Sequence, residues 1–148
     1  MLKFFTFALA WALTISAQAS EWKQFTPTAY LLAPSEDQEI FAMASLNGDT
    51  IVVNLVDYSG SLCGESTSSK LSPTGPYKVN GTNIKFIQAC INGNRIISPE
   101  TQKGKAFFAN AITGGPASVE FDRGVVLHFT SENFESAKKS MLDTRSAL

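Results

Sequence analysis

The sequence predicts an α+β domain: a small, curved, mostly antiparallel sheet or incomplete barrel of about seven short strands, carrying two helices and one disulfide. Three observations carry that expectation. Short runs of alternating apolar and polar residues are separated by Asn-Gly turns. Two later stretches switch to helical spacing. The two cysteines lie downstream of an export signal, which makes their pairing the expected state.

Met1-Leu2-Lys3 leads into an apolar block from Phe4 to Ile15 and then Ser16-Ala17-Gln18-Ala19-Ser20. A basic start, a short apolar block and small residues at Ala17 and Ala19 predict a signal peptide over residues 1–19, cut before Ser20. The block is shorter than the roughly 20 residues a membrane span needs, and polar sequence follows it. The expected product is a single domain over 20–148, exported to the periplasm or the extracellular space, with no membrane span left after cleavage. Without Lys3 the remaining 11 basic residues face 13 acidic ones, so no basic patch is available for nucleic acid.

Residues 21–25 suit a first short strand with Trp22 on one side of the pleat, and 28–33 a second beyond Pro27. Residues 39–46 and 49–58 form a hairpin across Asn47-Gly48, because that dipeptide accepts the positive φ a tight turn requires. Ile40/Ala42/Ala44 and Phe41/Met43 are both possible core faces of the first arm. The second arm is apolar on both faces and is expected to be central. Residues 59–76, rich in Ser, Gly, Thr and Pro, read as a long surface loop.

A second hairpin joins 77–79 to 82–91 at Asn80-Gly81, and Asn92-Gly93-Asn94 turns into 95–97. Ser98 caps a helix with Pro99 at its first position and Glu100 near the positive end, running to about Ile112. Gly104 weakens its middle. Strands follow at 117–121 and 124–129 around Asp122-Arg123-Gly124. A last helix begins near Thr130 or Ser131, with Glu132 in its first turn, and presents Phe134, Ala137, Met141 and Leu142 at helical spacing before a frayed tail beyond Asp143.

A Cys63 to Cys90 bond restricts the unfolded chain by about 3.5 kcal/mol of loop-closure entropy, a large part of the roughly 5–15 kcal/mol that holds a typical domain together. No cofactor is expected, and no metal, since one histidine and two paired cysteines fall short of a zinc ligand set. The sharpest catalytic alternative is a hydrolase-type enzyme with Cys63 as nucleophile, His128 as base and Asn133 as orienting group, or with a carboxylate pair such as Asp57 and Glu65. It requires Cys90 to be free or the carboxylates to meet. No Gly-x-Ser-x-Gly elbow is present, and the run ending in Lys70 has Thr67 where a Ser-x-x-Lys nucleophile would place its serine. Lys103-Gly104-Lys105 reads as a solvated helix face, and Asn80-Gly81-Thr82 as a tight turn before it reads as a glycosylation site.

The leading expectation is a small non-catalytic binding or accessory protein, acting on a protein or envelope partner, with inhibition as one form such action takes. Its candidate contacts are Ser66, Ser68, Ser69 and Lys70 on the polar loop, with Tyr77 as an aromatic anchor.

Overall fold

A computed structural model describes residues 21–60, 63 and 70–147. The segment read as a signal peptide lies outside the described residues, as do Ser66, Ser68, Ser69 and Glu65. Among the described residues, no helix is long and apolar enough to cross a membrane.

Nine strands form one unclosed antiparallel sheet: β1 Lys23–Thr26, β2 Ala29–Leu32, β3 Ile40–Asn47, β4 Thr50–Asp57, β5 Ser72–Val79, β6 Thr82–Ile91, β7 Asn94–Pro99, β8 Ala117–Glu120 and β9 Val126–Phe129, in the order β1-β2-β3-β4-β7-β6-β5-β8-β9. Helix α1 spans Gln102–Thr113 and α2 spans Phe134–Ser146. The α+β class with a curved sheet and one disulfide is the architecture found. The count of about seven strands is too low: each extended run of the sequence, including the short ones on either side of Pro27, forms a strand of its own, which makes nine.

The hairpins form where the Asn-Gly dipeptides lie. Asn80 and Gly81 take φ 48° and 80°, and Asn92 and Gly93 take 52° and 79°, so both turns have the positive φ at two successive residues that matches strand twist. Asn80 also accepts a bond from Ser118 N at 2.9 Å, tying that tip to β8. In β3, Ala42 and Ala44 are fully buried, which settles the choice of core face in favour of the Ile40/Ala42/Ala44 set. Strand β4 is central as expected, flanked by β3 and β7, with Leu55 buried on one face and Val56 on the other.

The inward residues Leu32, Leu55, Val79, Phe86, Ile97, Val119, Leu127 and Phe129 belong to one core with Phe108 and Ile112 of α1 and Ala137 and Met141 of α2. A single core reaching from β2 to β9 requires the sheet to wrap around both helices. Its two ends are drawn together by polar contacts rather than by a strand ladder. Ser35 N, just past β2, donates to His128 O of β9 at 2.8 Å, and Glu36 accepts from His128 N at 2.8 Å. Beside them the Trp22 indole donates to Ser131 Oγ at 2.7 Å.

Three boundaries differ from expectation. The first is β5, which begins at Ser72, so 72–76 are strand and not loop. On β5, β8 pairs with Lys78 and Val79, so the earlier part of β5 is an edge, where proline is tolerated. The second is α1. Pro99 ends β7 opposite Phe86, and the helix is capped by Thr101, whose Oγ1 accepts from Gly104 N at 2.9 Å. Gly104 permits close packing as well as costing helix propensity, since a Cβ there would lie 3.0 Å from Thr101 Oγ1 and 3.3 Å from Ile84 Cγ2. The third is α2, which starts at Phe134 with Glu135 in its first turn and continues past Asp143 to Ser146. Ser131 and Asn133 serve Trp22 instead, Asn133 accepting from Trp22 N at 2.8 Å and donating to Trp22 O at 3.2 Å.

Candidate functional site

One step along each strand beyond the helices, the inner face of the sheet changes from apolar to polar. Asp57 follows Leu55, Gln88 follows Phe86, Arg95 precedes Ile97 and Tyr77 precedes Val79, each by two residues and so each on the same face as its core neighbour. All four lie at the same end of the sheet. There they floor a cleft of about 740 Å³, whose rim is formed by Asp37, Gln38 and Glu39 on one side and residues 121–125 on the other.

Asp57 is the buried charged residue among those described, with 3% exposure. Arg95 lies directly across the β4–β7 pairing, and its Nε and Nη2 donate to Asp57 Oδ2 at 3.2 and 3.1 Å. Asp57 Oδ1 accepts from Ser59 N at 3.0 Å and Ser59 Oγ at 2.6 Å. Each carboxylate oxygen therefore holds two donors, which offsets the cost of taking the charge out of water. Arg95 Nη1 donates to Gln88 Oε1 at 3.2 Å and extends the network to β6.

The disulfide belongs to this end as well. Cys63 and Cys90 are bonded with Cα atoms 5.7 Å apart, and Cys90 is the register partner of Arg95 on β6. The bond therefore anchors the chain leaving Ser59 beside the Asp57–Arg95 pair. With both sulfurs in that bond, the oxidised protein has no thiol at Cys63 for nucleophilic catalysis.

Tyr77, the expected aromatic anchor, lines the cleft from within the sheet. It is 4% exposed and packs on Phe86 and Phe121 with ring centroids 5.4 and 4.8 Å apart. Its hydroxyl lies 2.5 Å from Thr74 Oγ1. A bulge between Thr74 and Tyr77 turns both toward the cleft wall. Gly75, at the bulge, has φ 76°, and a Cβ there would sit 2.8 Å from Tyr77 N, so only glycine suits the position. Lys70 is exposed and lies outside the cleft lining.

Across the opening, residues 121–125 form a tight turn closed by Phe121 N to Val125 O at 2.7 Å. Within it Arg123 adopts φ 64°, a conformation sparsely populated by residues with a side chain. The opposite rim is steadied by Glu36, whose Oε1 lies 2.5 Å from His128 Nδ1. Partial burial of Glu36 acts to raise its pKa, but hydrogen bonds from the His128 backbone and ring outweigh it and hold the carboxyl below its ordinary value. His128 is thus a latch on the rim, and Asn133 is occupied by Trp22.

Both oxygens of Asp57 are already engaged by Ser59 and Arg95. Among the described residues no group of three or more His, Cys, Asp and Glu side chains is arranged to hold a metal ion. The polar loop could be found in the sequence, but the floor could not: Asp57, Gln88 and Arg95 come from three strands, and only the register of those strands brings them together. No protein-family model, curated protein or solved structure matches the chain.

Proposed function

We propose that this is a small exported, non-catalytic binding protein that receives a ligand, or an extended segment of a protein or envelope partner, in the cleft at the open end of its sheet. The observation that carries this reading is the network of buried Asp57 with the partly exposed Arg95 and Gln88, flooring a cleft of about 740 Å³. A fold that needed only stability would gain more from continuing its apolar core there, since a buried ion pair contributes little net stability compared with well-packed apolar side chains. The volume falls within the roughly 300–1,000 Å³ typical of ligand sites. Disulfide and bulge hold the floor in place before any ligand arrives, which lowers the ordering cost of binding.

The test is retention of partners from an envelope extract by the mature chain and by its Val125→Arg variant. Val125 is exposed on the cleft rim, so the added side chain obstructs the opening without entering the core. The proposal expects a species retained by the unmodified chain and lost with Val125→Arg. Equal retention by both, or none by either, refutes it.

A further inference from the structure

The hydrogen-bond inventory of the cleft floor is one-sided. Asp57 has both carboxylate oxygens filled by Ser59 and Arg95. Arg95 carries five N–H groups, of which three are used, two on Asp57 and one on Gln88. Gln88 spends its Oε1 on Arg95, and its amide nitrogen has no bond to the described residues. No buried side-chain nitrogen or oxygen among those described lacks a partner, so that amide nitrogen is accessible to solvent. The floor therefore offers spare donors on Arg95 and Gln88, and its carboxylate has no acceptor to spare.

The rim has the opposite character. Asp37, Glu39 and Asp122 line the opening, with Arg123 beside them as the one basic side chain of the rim among the described residues, while Asp57 and Arg95 cancel beneath. A simple anion would find donors below and a net negative rim above. A simple cation would find the rim but no free acceptor on the floor. Apolar surface for the body of a ligand comes from Ile40, from Tyr77 of the floor and from Phe121 and Val125 of the rim.

From this arrangement we infer that the cleft takes a zwitterion of the amino-acid or short-peptide class, its carboxylate on the spare N–H groups of Arg95 and Gln88 and its ammonium group toward the rim carboxylates. The inference rests on the proposed role of the cleft as the binding site. Arg95 suits the task because its guanidinium is already held in plane by Asp57 and Gln88, so meeting a carboxylate costs little further ordering.

The experiment is an NMR titration of the mature, disulfide-bonded chain with four probes: trialanine, trialanine amide, N-acetyl-trialanine and propionate. Trialanine is expected to move the Arg95 Nε–H, the Gln88 side-chain amide and the Val125 backbone signals. Loss of the carboxylate in the amide should weaken binding by about tenfold or more, the worth of a charge-assisted hydrogen bond. The acetylated peptide and propionate should both bind more weakly than trialanine. The Asp37→Asn/Asp122→Asn variant, altered only at exposed positions, should narrow the gap between propionate and trialanine. If the amide or propionate binds as tightly as trialanine at these residues, the zwitterion assignment fails while the cleft remains the binding site. Absence of any response to all four probes also overturns the assignment, and the Val125→Arg retention experiment then decides the cleft separately.

Discussion

Arg95 stands directly opposite Asp57 in the β4–β7 pairing and binds one of its carboxylate oxygens through two nitrogens, at 3.2 and 3.1 Å, while Ser59 fills the other oxygen. Removing one partner of such a pair strands a buried charge, whereas removing both does not. Arg95→Met is expected to lower unfolding free energy by roughly 3–5 kcal/mol, and Asp57→Leu/Arg95→Met to recover most of that loss. Urea denaturation of the two variants and the parent reads the difference. A single variant as stable as the double would show that the pair is not buried as described.

The Cys63–Cys90 bond should be complete in the protein folded under oxidising conditions. Intact mass after alkylation is expected to show no modified cysteine without reductant and two with it. Cys63→Ala/Cys90→Ala should cost about 3.5 kcal/mol of stability by loop-closure entropy. It should also loosen Ser59 and Asp57, visible as faster amide exchange at Ser59, because the bond anchors that segment beside Arg95.

Gly104 separates two readings of a helical glycine. At an exposed position, replacement by alanine gains about 1 kcal/mol of helix propensity. Here the added Cβ meets the capping Oγ1 of Thr101 at 3.0 Å and Ile84 Cγ2 at 3.3 Å. Displacing a cap alone costs about 0.5–2 kcal/mol. Gly104→Ala is therefore expected to lower the melting temperature, and a rise would show that propensity outweighs packing at this site.

The Glu36–His128 latch gives the rim an acid dependence whose sign follows from the lowered carboxyl pKa. Stability from a depressed carboxylate is fully present above the unfolded value, about 4.3 for Glu, and is lost as pH falls through the lower folded value. Glu36→Gln should remove that acid-side loss and, at neutral pH, increase exchange of the Ser35 amide, which is bonded to His128 O at 2.8 Å. An unchanged acid profile in the variant would assign the transition to another group.

Local chemistry made much of the fold legible. Three Asn-Gly dipeptides marked three hairpins, alternation identified the strands, and the cysteine pair followed from the apparent export signal. Boundaries failed where tertiary context decides. Ser72, Pro73 and Pro76 look like loop residues, yet they serve in a strand because the part of β5 they occupy has an unpaired edge. Pro99 looks like a helix start, yet pairing with Phe86 keeps it extended. The site was the least legible part. Even spacing puts Tyr77 on the face of Val79, which is the buried one, but its contact with Phe121 comes from a distant part of the chain. Arg95 and Gln88 carried no local signal, since each acquires its role from a neighbour on another strand.

The most direct test of the cleft as the binding site is a chemical-shift map of the disulfide-bonded protein bound to whatever species it retains and Val125→Arg does not. The largest changes are expected at Asp37, Gln88, Arg95, Phe121 and Val125, around the cleft those residues line. Changes confined to the exposed edge of β1, or to Lys70 and Leu71 at the end of the polar loop, would contradict it.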